Sequence, residues 1–190
     1  EYNGYIYSLG GYSSGSGELD DVVYAPVNAD GTFGSWVTET VLPETLESAS
    51  AVAYNGHIYI TGGWDGSADN TDSYYAKINQ DGSLGAWTGT TDIPLARSSA
   101  SMFATNGFVY VVGGYDGSTA QTTSYYAPVN ADGALGSWST TSTLPAGRAY
   151  AGSAQANGYF YIVGGSSGTW NGTAQDDTYY AEVNADGTLG

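Results

Sequence analysis

The sequence predicts an all-β fold built from four copies of one four-stranded unit. Two observations carry the prediction. Composition is the first: 29 Gly and 18 Tyr stand against a single Met, and aromatic and β-branched residues lie between clusters of Gly, Asn, Asp and Ser. Residues of those types fit a pleated surface and the tight turns that join its strands. Periodicity is the second. The double glycine recurs at Gly10-Gly11, Gly62-Gly63, Gly113-Gly114 and Gly164-Gly165, so the unit is 52, 51 and 51 residues long. Trp36, Trp87 and Trp138 keep the same period, as do Asn3-Gly4, Asn55-Gly56, Asn106-Gly107 and Asn157-Gly158, and the tyrosines 24, 75, 126 and 180 keep the same place in each unit. Independent markers that agree on one spacing define a repeat.

The third copy shows the elements in order. Strand A is SSASMFAT (98–105), small and apolar residues suited to a crowded place. Asn106-Gly107 follows as a two-residue hairpin turn, because both central residues of such a turn must accept positive φ. Strand B is FVYVVGG (108–114), closed by the glycine pair, and a variable loop leads to strand C, TTSYYAPV (122–129). The heptad NADGALG (130–136) then turns the chain into strand D, which starts at Trp138 and runs to Leu144-Pro145. Near-copies of that heptad stand at 28–34, 79–85 and 184–190. Four short strands in about 50 residues is the spacing of a β-propeller blade, in which tetrads pack radially around a channel. The predicted architecture is therefore one propeller segment over residues 1–190, with units of about 1–40, 41–91, 92–142 and 143–190.

The Gly-Gly doublet that closes strand B, the tyrosine twelve residues after Gly63 and Gly114, and the tryptophan that opens strand D resemble the kelch repeat. The resemblance spans the whole chain. One feature departs from it: Ala and Ser occupy the strand A places where many kelch repeats carry histidine or other polar residues. Physics accounts for the markers. Glycine pairs admit a neighbouring strand or aromatic close to the backbone, and each Trp is placed to fill the wedge between facing sheets. Counted by strands, residues 5–40 supply B, C and D, residues 48–90 and 98–141 supply two full blades, and residues 149–184 supply A, B and C. The expectation is an incomplete ring or an excerpt of a larger propeller, with self-association as the other route to a completed ring.

Charge narrows the partners. Three basic residues against nineteen acidic ones give a net charge of −16. Nucleic acid and anionic membrane surfaces both need Lys and Arg, so neither is expected as a partner. No apolar run is long enough to span a bilayer, and no charged-then-apolar leader opens the sequence. Without Cys there is no thiolate or disulfide chemistry. The low content of Lys and Glu, with abundant Ser, Thr, Gly, Asn and Tyr, suggests an extracellular or cell-surface protein. Asn171-Gly172-Thr173 fits a glycosylation acceptor.

Strand direction sorts the connections onto two faces. Asn-Gly turns and heptads share one, and they hardly vary among the copies. The B–C loops (12–21, 64–72, 115–123 and 166–177) and the D–A segments share the other, and the B–C loops diverge. Diverged loops on a rigid frame are where binding usually resides. Candidate ligand-binding residues are therefore Arg97 and Arg148, which begin strand A near the channel mouth where the second unit has Leu46, together with Trp64, Tyr115, Tyr12 and Trp170 as stacking platforms. The alternative role of the arginines is to bond carbonyls between blades.

Catalytic chemistry finds little support. His57 is the single histidine and lies beside an Asn-Gly turn, opposite the variable loops, so neither a zinc or copper set nor a Ser-His-Asp triad can be assembled at that face. The carboxylate pairs Asp20-Asp21 and Asp176-Asp177 lie at the entry to strand C, and sequence cannot set their separation. The heptads place Asp30, Asp81, Asp132 and Asp186 in a pattern that partly matches a calcium loop but lacks its first Asp and closing Glu. Turn chemistry already explains them, so no cofactor is expected and calcium is the weaker option. The reading is a non-catalytic recognition or scaffolding module that binds protein or glycan through the variable face. Two alternatives remain: a carbohydrate-active propeller of the sialic-acid-processing kind, needing Arg97 or Arg148 with an acidic partner, and a purely structural surface repeat.

Overall fold

The computed structural model describes residues 1–169 and 171–190, and among them sixteen strands and no helix. The strands fall into four sequential antiparallel sheets and one small hairpin. The first sheet holds β1 (Tyr5–Ser13), β2 (Gly17–Pro26) and β3 (Val37–Thr38). The second holds β4 (Ser50–Tyr54), β5 (His57–Thr61), β6 (Ser73–Lys77) and β7 (Thr88–Gly89). The third repeats it with β8 (Ser101–Thr105), β9 (Phe108–Val112), β10 (Ser124–Pro128) and β11 (Ser139–Thr141). The fourth holds β12 (Gly152–Ala156), β13 (Tyr159–Val163) and β16 (Thr178–Glu182). The hairpin β14 (Ser166–Ser167) and β15 (Thr173–Ala174) sits in its B–C loop. Strand order within each sheet follows the chain, as the A-to-D reading predicts.

Local chemistry sets the turns. Asn3, Asn55, Asn106 and Asn157 have φ between 48° and 52°, and each following glycine is also positive, the geometry of a type I′ hairpin. In the heptads the Asp carboxylate caps its own turn: Asp30 Oδ1 accepts from the Thr32 amide (3.0 Å) and hydroxyl (2.7 Å), and Asp81 and Asp186 do the same with Ser83 and Thr188.

Two expectations need correction. Residues 12–21 are not an open loop, because β1 and β2 continue through them as a long hairpin with a bulge between Leu9 and Gly11. The Trp residues do not all fill a wedge. Trp87 and Trp138 are half-buried and donate their indole N–H to the carbonyls of Thr40 (3.1 Å) and Thr91 (2.8 Å) of the preceding sheet. Trp36 is exposed, since no described sheet lies on that side of β1–β3.

The core is distributed between sheets. One apolar cluster joins the first sheet to the second through Val22, Leu42, Leu46, Ile58 and Ile60. A second joins the second to the third through Tyr59, Val109, Ala127 and Leu135. A third joins the third to the fourth through Phe103, Val112, Phe160, Ile162 and Leu189. Among the described residues no such cluster joins the fourth sheet to the first, so the blades form an open arc.

Backbone contacts repeat at each junction. The second glycine of each pair donates to the residue that precedes the next strand A: Gly11 to Leu46 O (2.8 Å), Gly63 to Arg97 O (2.7 Å) and Gly114 to Arg148 O (2.7 Å). A Cβ on Gly62 would lie 2.1 Å from that Arg97 oxygen, so the pair is glycine because a neighbouring carbonyl occupies the side-chain space.

Candidate functional site

The turn face is packed shut by aromatics. Tyr5, His57 and Phe108, each the first residue after an Asn-Gly turn, lie over the heptad glycines of the next blade. A Cβ on Gly82, Gly133 or Gly187 would fall 2.5, 2.6 and 2.9 Å from those rings. Tyr7 and Tyr59, two residues on, donate their hydroxyls to the carbonyls of Gly82 and Gly133, both at 2.8 Å. Burial pushes the Tyr59 hydroxyl up to about 12, so it stays a donor at all ordinary pH. His57 is thus a packing residue in a Tyr/Phe position, its Nδ1 lying 3.2 Å from the Asn55 carbonyl. The heptad carboxylates point to their own turns. Those hydrogen bonds, from Thr32, Ser83 and Thr188, hold Asp30, Asp81 and Asp186 below the usual carboxylate range. Among the described residues no three His, Cys, Asp or Glu side chains converge.

The loop face is different. At the inner rim the D–A segments are linked in series, Ser99 N–H to Ser48 O (2.7 Å) and Tyr150 N–H to Ser99 O (3.0 Å). Ser48, Ser99 and Tyr150 occupy the same place in successive blades and all have positive φ, 55°, 51° and 57°. Non-glycine residues in that region carry strain, and such strain clusters at binding sites. Each D–A segment also pairs with the start of its own B–C loop. Glu47 exchanges two hydrogen bonds with Trp64, and Ser98 two with Tyr115, at 2.8–2.9 Å. Those pairings fix the backbone of Trp64 and Tyr115 at the rim, where both line one cavity. The result is a cavity of about 380 Å³ lined by Glu47, Ser48, Trp64, Asp69, Ser98, Tyr115, Gly117 and Tyr150, from three consecutive blades.

Asp69 is the anomaly in that lining. Both its carboxylate oxygens are buried without a hydrogen-bond partner in the protein. Burial, opposed by the nearby Ser98 hydroxyl and reinforced by Asp116 and Asp65, holds its carboxyl above the usual range. No Lys or Arg lines the cavity.

Of the sequence candidates, Trp64 and Tyr115 are brought together here. Tyr12 is exposed on the long β1–β2 hairpin and does not line the cavity, and Trp170 lies outside the described residues. Arg97 and Arg148 are not at the mouth. Their side chains are 1% and 2% exposed, folded beneath the rim against strand C of their own blade. Arg148 donates to Gly147 O (2.8 Å), Asp177 Oδ1 (2.5 Å) and the Tyr179 hydroxyl (2.7 Å), with its guanidinium over the Tyr179 ring. Tyr179 and Arg148 together hold the Asp177 carboxyl low. Arg97 packs over Tyr125 and bonds only Ala96 O, leaving Nε and Nη2 unpartnered, because Thr123 stands where the fourth blade has Asp177. Burial lowers its pKa. Neither side chain bonds carbonyls between blades, the alternative role, because each reaches only the carbonyl of the residue before it, Ala96 or Gly147. Sequence reasoning missed Glu47, Asp69 and Tyr150. Tyr150 could have been found as the large residue in a place occupied by Ser48 and Ser99.

A second cavity, about 310 Å³, lies between the third and fourth sheets and is lined by Leu144, Phe160, Ile162 and Leu189. It also includes Ser142, the counterpart of the Thr40 and Thr91 that receive Trp87 and Trp138. It belongs to blade packing, not to the loop face.

Comparison with known proteins agrees with this geometry. Residues 47–75 match the family model described as Kelch motif. That stretch is a kelch motif, and the other units repeat its glycine-pair and tyrosine markers. Beta-scruin of Limulus polyphemus is 28% identical over 132 residues, covering 65% of this chain and 13% of that protein. Kelch repeat and BTB domain-containing protein 1 of horsepox virus is 26% identical over 112 residues, covering 59% of this chain and 19% of that protein. The chain thus spans under a fifth of the length of either relative. Among solved structures, that of YjhT superposes with a TM-score of 0.70 over 90% of this chain and 51% of its own, at 15% identity, which shows the shared fold. The kelch β-propeller architecture inferred from the spacing is therefore the architecture of this chain. Kelch repeats generally mediate protein binding.

Proposed function

We propose that this kelch segment is a non-catalytic recognition module that receives a protein partner in the loop-face cavity. The observation that carries the reading is the convergence of loops from three blades on one acidic, aromatic pocket. Its rim residues Ser48 and Tyr150 are held at positive φ, and two oxygens of Asp69 lack partners. Pockets of this kind, concave and aromatic with a few placed polar groups, are the usual seats of ligands. The lining favours a basic side chain: Trp64, Tyr115 and Tyr150 supply aromatic rings that can receive a cation, and Glu47 and Asp69 supply carboxyl groups. Electrostatic steering by a net charge of −16 acts in the same direction. The solvated composition supports work at the cell surface or outside the cell.

A peptide array tests this. Lys- or Arg-bearing peptides should bind, acidic peptides should not, and Trp64→Ala with Tyr115→Ala should weaken binding at least about tenfold without lowering the melting temperature. Binding to a glycan array in place of peptides would instead favour a lectin-like module. A carbohydrate-active site built on Arg97 or Arg148 gains nothing from the geometry, as both guanidinium groups are beneath the rim.

A further inference from the structure

The hairpin turns Asn55-Gly56, Asn106-Gly107 and Asn157-Gly158 are copies of one structure with one difference. Their backbones agree: φ is 48°, 52° and 52° at the asparagines and 77°, 84° and 80° at the glycines. Each glycine carbonyl accepts from its own blade, from the amide of Ile78, Val129 or Val183, at 2.8 Å. All three asparagines are exposed. The glycine N–H sets the turns apart. Gly56 N–H donates to the Tyr2 hydroxyl and Gly107 N–H to the Tyr54 hydroxyl, both at 2.8 Å, so a tyrosine of the preceding blade clamps each of these turns. Thr105 stands in the corresponding place ahead of the fourth sheet, directly before an Asn-Gly pair as Tyr2 and Tyr54 are. Its side chain is too short to act as that clamp, and among the described residues Gly158 N–H has no partner.

We propose that Asn157 is a deamidation site, converting to isoaspartate and aspartate ahead of Asn55 and Asn106 in the clamped turns. The nucleophile of that reaction is the backbone nitrogen of the following residue, and a glycine there has no Cβ to hinder its approach. Once hydroxide has taken the amide proton, Gly158 N attacks Cγ of Asn157. The new N–C bond closes a succinimide ring, the Cγ–Nδ2 bond breaks, and Nδ2 takes a proton from water and leaves as ammonia. Water then opens the ring. Cleavage of the bond to Cγ leaves aspartate, and cleavage of the bond to the Asn157 backbone carbonyl carbon leaves isoaspartate. One water enters and one ammonia departs, with no change of oxidation state. The clamp opposes this chemistry in two ways. Donation to a tyrosine oxygen stabilises the neutral amide and so disfavours its ionisation. The same bond resists the local opening through which the turn can change its backbone angles. In the product, isoaspartate lengthens the two-residue turn by a methylene beside the Ala156–Tyr159 pair and adds one negative charge to a chain already at −16.

The test ages the folded chain below its melting temperature at mildly alkaline pH and follows the Asn-to-Asp mass change at the three sites by peptide mass spectrometry. Asn157 should convert about fivefold faster than Asn55 or Asn106, the factor expected for one hydrogen bond. Tyr54→Phe removes only the clamping hydroxyl, and should speed Asn106 about fivefold while Asn55 and Asn157 keep their rates. Tyr2→Phe should do the same for Asn55 alone. In the urea-denatured chain the three sites should convert at one rate, because each is the same Asn-Gly pair. Equal rates in the folded chain would overturn the proposal, as would a lead by Asn55 or Asn106. So would a lead of Asn157 that persists in urea, which would place its cause in local sequence, or clamp variants that leave Asn55 and Asn106 unchanged. Melting curves of both variants check that each still folds.

Discussion

The two faces of the arc are made from the same repeat yet organised in opposite ways. On the turn face the Tyr7 and Tyr59 hydroxyls find carbonyls in the next blade, and the heptad glycines Gly82, Gly133 and Gly187 each have an aromatic ring against them. On the loop face the rim residues are backbone-strained, the Asp69 oxygens are unpartnered and the aromatics open onto a cavity. The difference teaches that periodic contacts bind the blades together at one end. That frees the other end to hold residues that stability alone would not select.

The largest expected effect breaks the turn face. Gly82→Ala places a Cβ at positive φ and into the Tyr5 ring, and should cost about 3 kcal/mol in a denaturant titration. Gly31→Ala has the same φ of 83° with nothing nearby, and should cost only about 1–2 kcal/mol. Equal losses would show that the aromatic contact contributes nothing. Next in size, Trp87→Ala removes a half-buried ring and one indole hydrogen bond, for about 2 kcal/mol. In dilute monomeric protein Trp36→Ala should stay within about 0.5 kcal/mol, and calorimetry of the pair reads the difference.

A smaller contrast sharpens the boundary beneath the rim. Arg148→Leu breaks the contacts to Asp177 and Tyr179 and should lower the melting temperature. Arg97→Leu substitutes the residue that the second blade already uses at Leu46, removes a guanidinium with two unpartnered nitrogens, and should leave the melting temperature unchanged or raise it. The smallest effect lies in the cavity and depends on pH. The folded state raises the Asp69 carboxyl, so it favours the protonated form and is weakened as pH rises from the ordinary carboxylate range through the raised folded value. Asp69→Asn should therefore raise the melting temperature at about pH 7, and the gain should shrink as pH falls towards about 4. A gain that is constant with pH would place its origin elsewhere.

Much of the architecture was legible because its causes are local. Asn106-Gly107 has the residue types of a tight hairpin turn, and Asp81, two residues before Ser83, is placed to cap its own loop. Four copies of each leave strand order with little freedom. The second role of the heptad glycines was hidden by that success, since positive φ already explained them. Tyr5, His57 and Phe108 were the available signal, one aromatic ring after each Asn-Gly turn.

The candidate site was legible only in part. Divergent loops located the face, and Trp64 and Tyr115 were found on it. The arginines were misplaced because a guanidinium at the start of strand A can point to the channel or fold back. Which it does depends on Tyr125 and Tyr179, which stand 28 and 31 residues further along. Sequence by itself determined the repeat, the turns and the acidic charge, because those follow from backbone conformation and residue type. Tertiary structure alone decided which side chains are buried and which glycines are packed, because burial is set by the neighbouring blade and by no residue nearby in the chain.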